Sequence, residues 1–235
     1  DNIAHDMKTP LARLRGRLET LASSDTNDKF ASDELNQALK ESDQLLTIFN
    51  AVLRIARIES GSPNHPTQRV DLMALMNDLA ELYEPLAAQK SLDITTYSTQ
   101  HAVIYVDRDI VFQAFSNLMD NAIKYSPRHT CIEVSIGTDP TPYFQISDKG
   151  PGIPETEHEQ VFQRFYRLDQ SRSTNGNGLG LSLVRAVANR YGANISLTEH
   201  QPGLTVRIDF PVATDRPPRA QATAHTQTPE LPAIE

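Results

Sequence analysis

The sequence predicts an α+β multidomain chain: a helical hairpin that forms a dimeric four-helix bundle, followed by an α/β sandwich whose mixed, largely antiparallel sheet carries helices on one face. Three observations predict it. Apolar residues recur at helical spacing over residues 1–60, strands alternate with helices from Arg69 onward, and a segment punctuated by Gly61, Pro63 and Pro66 separates the two textures.

In the opening stretch Ile3, Met7, Leu11, Leu14, Leu18 and Leu21 form one apolar helical face, although Pro10 lies within it. A proline inside a helix removes a backbone hydrogen bond and costs about 3 kcal/mol, so this helix is expected to loosen or bend near Pro10. The polar run ASSDTNDKFASDE ends the pattern, and a second helix is expected from near Ser32, where Ser-Asp-Glu reads as a cap. In it Leu35, Leu39, Ser42, Leu46, Phe49, Leu53 and Ala56 form a heptad-like seam with one polar position. A lone hairpin leaves such a seam uncovered. Pairing with a second copy is the economical solution, and packing against the rest of the same chain is the alternative.

The hairpin domain is assigned to residues 1–60 and the linker to 61–68. From 69 to 212 the pattern reads strand RVDL, helix Met73–Lys90, strands LDITTYS and AVIYVD, and helix Ile110–Tyr125. Strands IEVSIG and YFQISD follow, then a Gly-rich loop, helix Leu179–Tyr191 and a hairpin around QPG. Residues 213–235, rich in Pro, Ala and Thr without apolar periodicity, are expected to be disordered.

Composition narrows the function. With 30 acidic against 22 basic residues the net charge is −8, which disfavours a broad grip on nucleic acid but leaves room for a local phosphate site. A single cysteine, Cys131, excludes internal disulfides and paired-cysteine metal sites, and reads as a small buried strand residue. No apolar run reaches the roughly 18 residues of a membrane span. The chain starts without methionine inside a helical pattern, so a sensor or transmembrane region is expected upstream.

Four stretches of the second domain carry chemistry. In NLMDNAIKY, Asn117 and Asn121 share one helical face with Lys124 a turn further on; amide oxygens suit Mg²⁺ and the lysine suits phosphate. In DKGPGIP, an aspartate at a strand end, Asp148, can accept from an amino group such as that of adenine, while Gly150 and Gly152 allow close backbone approach. VFQRFYRLDQSRS offers Phe162 and Phe165 as anchors and Arg164, Arg167 and Arg172 as positive charge. GNGLGLSLV opens a helix with Gly176, Gly178, Leu179 and Gly180, an anion site built from backbone N–H groups. It matches neither a P-loop nor a Rossmann fingerprint. Each stretch alone is also compatible with ordinary turns or solvated surface.

Taken in order, and preceded by AHDMKTPL, these stretches resemble the N, G1, F, G2 and H boxes of sensor histidine kinases, across nearly all of residues 1–211. The resemblance implies a GHKL-type ATP-binding domain, of the kind shared with gyrase, a heat-shock chaperone family and mismatch-repair ATPases, joined to a dimeric phosphoacceptor hairpin. It implies Mg²⁺ at Asn121, with Asn117 as the second N-box asparagine, and Lys124 and Tyr125 lining the nucleotide. Asp148 would read adenine with Gly150 and Gly152; Arg164 and Arg167 would contact phosphate; Gly176, Gly178, Leu179 and Gly180 would close over the phosphates. Asn177 departs mildly from the family, which often has serine or threonine there. In the superfamily's ATPases the position of Asn117 holds a glutamate that activates water; an amide takes no proton, which favours transfer over hydrolysis.

His5 is the candidate phosphoacceptor. Asp6 beside it can accept from one ring N–H, fixing the tautomer and assisting proton removal as the other nitrogen attacks. Thr9, one turn on, matches a position that helps place water for removing phosphate from the partner regulator. The expected enzyme is a protein histidine kinase that uses ATP and Mg²⁺, forms a homodimer and transfers phosphate to a response-regulator receiver domain. Its expected setting is the cytoplasmic portion of a bacterial inner-membrane protein. An ATPase and a nucleotide-responsive scaffold are the rival readings. Bending at Pro10 is expected to gate access to His5.

Overall fold

The computed structural model describes Leu14, Gly16, Leu18 and residues 28–60, 67–168, 177–199 and 202–212; side chains are described from residue 35 of the second helix onward. His5, Asp6, Thr9, Pro10, Arg172, Gly176 and the 213–235 tail lie outside the described residues.

Helix α1, Asp28–Glu59, begins before the expected Ser32. Ser-Asp-Glu lies inside the helix, because local capping preference is weaker than the gain from extending a long helix. Strand β1 (Gln68–Asp71) leads directly into α2 (Leu72–Gln89), whose first turn is capped by the Asp71 carboxylate accepting from the Met73 N–H at 2.9 Å. Strands β2 (Asp93–Ser98) and β3 (Val103–Val106) precede α3 (Arg108–Tyr125), capped in turn by Asp107, which accepts from the Asp109 and Ile110 N–H groups. Strands β4 (Cys131–Gly137) and β5 (Tyr143–Ser147) follow. Helix α4 (Gly180–Tyr191) ends on Gly192 in the left-handed region, and β6 (Asn194–Glu199) with β7 (Leu204–Asp209) closes the chain.

β1 and β3 form a small antiparallel pair. The main sheet runs β2-β4-β5-β7-β6, with β2 parallel to β4 and the remaining pairs antiparallel. Register aligns one apolar face: Val134 opposes Ile146, which opposes Val206, and Ile136 opposes Phe144, which opposes Ile208. These residues are buried while their strand neighbours are half-exposed, the alternation of a sheet covered on one side. Helices α2, α3 and α4 supply the cover. Phe115 of α3 stacks on Phe144 with ring centroids 3.7 Å apart, joining helix to sheet. Each such large apolar side chain contributes about 1.5–3 kcal/mol by leaving water.

The same alternation corrects one expectation. Cys131 is not buried: strand parity turns Ile132, Val134 and Ile136 inward, so Cys131 faces outward, half-buried, with Sγ 3.1 Å from the Thr95 hydroxyl.

Helix α1 divides its apolar residues between two environments. Ile55 and Ile58, 0% and 3% exposed, enter the core of the second domain, and α1 packs along α4. The seam residues Leu35, Leu39, Leu46, Phe49 and Leu53 remain 38–57% exposed. No helix among the described residues is long and apolar enough to cross a membrane.

Candidate functional site

Amphipathicity orients α3. Val111, Ala114, Phe115, Leu118, Met119 and Ala122 face the core, so Asn117, Asn121 and Lys124 emerge on the opposite side. The end of α3 is pinned by Lys90, whose ammonium donates to the Ile123 and Lys124 carbonyls at 2.7 and 2.8 Å. Loss of water around that ammonium, with Arg128 nearby, lowers its pKa. Asn117 donates its amide N–H to the Gln113 carbonyl at 2.9 Å, leaving its oxygen free to face the start of α4. A Cβ on Gly180 would come within 3.2 Å of that oxygen, so glycine there keeps the helix N-terminus open beside the amide.

Asp148 follows β5. One carboxylate oxygen accepts from the Gly150 N–H at 2.7 Å and more distantly from the Leu204 N–H at 3.4 Å. Burial raises the Asp148 pKa above the usual aspartate range, and those two hydrogen bonds and Lys149 offset part of the rise. Gly203 explains how the backbone closes around this carboxylate. Its φ is +126°, and a Cβ there would lie 1.9 Å from the Asp148 carbonyl oxygen. Sequence reasoning saw only a turn residue in QPG; which strand end it would meet depends on the β5–β7 pairing.

The third and fourth stretches interlock. Two short 3₁₀ turns, Glu155–Glu157 and Gln160–Phe162, carry the chain from Asp148 to Phe162, which is buried beneath the Arg185 guanidinium at 4.2 Å. Phe165 then donates its N–H to the Gly178 carbonyl at 2.8 Å. Gly178 has φ +64°, and a Cβ on it would approach the Phe165 carbonyl carbon to 2.7 Å. The loop before α4 is thereby seated on the arginine-bearing segment.

These elements surround one cavity of about 920 Å³. Asn117, Asn121, Lys124, Tyr125 and Asp148 line it, as do Gly152, Arg167, Gly178, Leu179 and Gly180. Ile146, Ile153, Leu204 and Val206 give it an apolar floor. Gly150 stands behind Asp148, where a Cβ would meet the carboxylate at 2.9 Å. Arg164 is not in the lining; its guanidinium pairs with Glu59, the last residue of α1, at 2.5 Å. The hairpin helix also contributes Thr47, Asn50, Ala51 and Arg54, which no motif flagged because their role depends on how α1 lies against the second domain.

The donor set fits a nucleotide with its cation. Gly178 and Gly180 clear the approach to a helix N-terminus, suited to phosphate, and Asp148 lies against the apolar floor, suited to a planar base. Among the described residues no group of three His, Cys, Asp or Glu side chains is placed to hold a metal. The Asn117 amide oxygen stands beside the helix terminus, and with Asn121 in the cavity lining it suits Mg²⁺ shared with phosphate oxygens.

Comparison with known proteins agrees with this geometry. The family described as "Histidine kinase-, DNA gyrase B-, and HSP90-like ATPase" matches residues 106–214, and the "His Kinase A (phospho-acceptor) domain" matches residues 1–61. The probable sensor protein PcoS of Escherichia coli is 34% identical over 210 residues, covering 88% of this chain and 45% of that protein. Sensor histidine kinase WalK of Bacillus subtilis is 28% identical over 200 residues, covering 83% and 33%. The chain thus spans less than half the length of these relatives. Among solved structures, Acinetobacter baumannii histidine kinase AdeS superposes with TM-score 0.66 at 20% identity, covering 89% of this chain and 98% of that one. Full-length ShkA in complex with AMPPNP superposes with TM-score 0.65 at 23% identity, covering 91% and 46%. At that identity both show the fold.

Proposed function

Because the chain belongs to the sensor histidine kinases and comprises their catalytic core, we propose that it uses Mg²⁺-ATP to phosphorylate His5, then passes the phosphoryl group to an aspartate of a response-regulator receiver domain. The observation that carries this reading is the convergence of four separated stretches on one cavity with an amide, Asn117, beside the phosphate end. That amide is committed to the Gln113 carbonyl and offers no base for activating water. The AMPPNP bound by the ShkA relative supports ATP as the ligand.

In this reading the adenine amino group donates to Asp148 and the base lies on Ile146, Ile153 and Leu204. The phosphates meet the N–H groups at Gly178–Gly180, with Lys124 and Arg167 alongside. Mg²⁺, held by Asn121, would neutralise phosphate charge. The neutral His5 imidazole attacks the γ-phosphorus; an N–P bond forms, the bond to the bridging oxygen breaks, ADP leaves, and Asp6 takes the ring proton. The exposed α1 seam supports a homodimer. Thr9 would place water for the reverse activity, dephosphorylation of the regulator.

Incubation with Mg²⁺ and γ-labelled ATP tests the reaction. An acid-labile, base-stable phosphoprotein is expected. Free phosphate without labelled protein identifies an ATPase, and neither product identifies a nucleotide-responsive scaffold; both outcomes overturn the kinase.

A further inference from the structure

We infer that Arg54 of the hairpin helix is a nucleotide-binding residue whose guanidinium pairs with the polyphosphate, so that bound nucleotide bridges the two domains. This rests on the cavity being the ATP site.

Thr47, Asn50, Ala51 and Arg54 are spaced as one stripe of α1, and all four line the cavity. The stripe is held in place. Ile55, next to Arg54, and Ile58, one turn beyond it, are buried in the core, Arg190 donates to the Ile58 carbonyl at 3.1 Å, and Glu59 pairs with Arg164. Arg54 therefore projects from an anchored helix, not from a mobile arm. Along the stripe, Thr47 spends its hydroxyl on the Asp43 carbonyl at 2.8 Å, and Ala51 offers no polar group.

Arg54 has no ion pair or side-chain hydrogen bond among the described residues. Two cavity carboxylates are already engaged: Asp148 with the Gly150 and Leu204 N–H groups, and Glu157 with the Tyr166 hydroxyl. Asp120, the third, lies beside the Tyr83 hydroxyl, which donates to the Ser116 carbonyl at 3.2 Å. A guanidinium with five donors, standing on a cavity in a chain of net charge −8, is matched by a phosphate group, which it binds bidentately. Adenosine offers it no charge. The helix that belongs to the acceptor hairpin would then sense whether the nucleotide carries phosphates.

Binding of a fluorescent ATP analogue to the full chain, displaced by ATP or adenosine, tests the assignment. Arg54→Gln should weaken ATP about tenfold, the size of one charge-assisted contact, and leave adenosine unchanged, with Arg54→Lys intermediate. Arg57→Gln, on the same helix outside the cavity, should bind as wild type. Unchanged melting temperatures show that the variants fold. If wild type binds ATP and Arg54→Gln binds it equally, the inference is overturned while the cavity reading stands. If wild type binds no nucleotide, the cavity reading falls and the inference with it.

Discussion

Helices α1 and α3 are both amphipathic, yet α3 buries its apolar face inside its own chain whereas α1 leaves Leu35, Leu39, Leu46, Phe49 and Leu53 largely exposed. In α3 the polar face is the one that lines the cavity, because the core fixes where Asn117 and Asn121 point. In α1 the apolar seam stays uncovered within the chain, as the proposed homodimer requires, while Ile55 and Ile58 near its end are buried in the core of the second domain. Helix α3 thus forms a wall of the cavity, and α1 combines an open apolar seam with a docked end.

Equivalent substitutions should therefore behave differently on the two helices. Leu118→Ala, at a position 2% exposed, should cost about 2–5 kcal/mol of unfolding free energy in a denaturant titration and leave the oligomeric state alone. Leu46→Glu, at a position 57% exposed, should convert the dimer to a monomer by sedimentation, losing about 1.5–3 kcal/mol of burial per copy, with the unfolding of the ATP domain unchanged. A dimer that survives Leu46→Glu would break the comparison.

Within the site the largest effect is expected at Asp148. Asp148→Asn should weaken ATP binding tenfold or more, about 1.4 kcal/mol, as measured by calorimetry. It should not lower the melting temperature at neutral pH. A carboxyl whose folded pKa is raised binds more protons folded than unfolded, so its contribution to stability falls as pH rises from the usual aspartate range through the raised value. The amide escapes that cost. By the same shift, wild-type ATP affinity should decline on acidification at a pH above the ordinary aspartate range. The smallest effect is expected for Glu59→Gln, which breaks a partly exposed pair with Arg164 and should change stability by less than about 1 kcal/mol. A larger loss would mean that α1 is held to the ATP domain mainly by that pair instead of by Ile55 and Ile58.

Much of the second domain was legible because its signals are local. Strand alternation placed β4, β5 and β7, and the asparagine spacing placed the polar face of α3. What escaped depends on contacts remote in sequence. Gly203 matters because β7 brings it against Asp148, and Arg54 lines the cavity because α1 docks on α4. Arg164 carried the right charge for phosphate, yet its partner in the fold is Glu59, more than a hundred residues away. Cys131 faces outward because strand parity, which composition does not reveal, turns Ile132 and Val134 inward.

If this cavity delivers phosphate to His5, incubation with Mg²⁺ and γ-labelled ATP followed by peptide mapping should place acid-labile label on the peptide containing His5, and none in His5→Gln that still binds ATP as wild type does. Label that persists in His5→Gln would show that the phosphoryl group goes elsewhere.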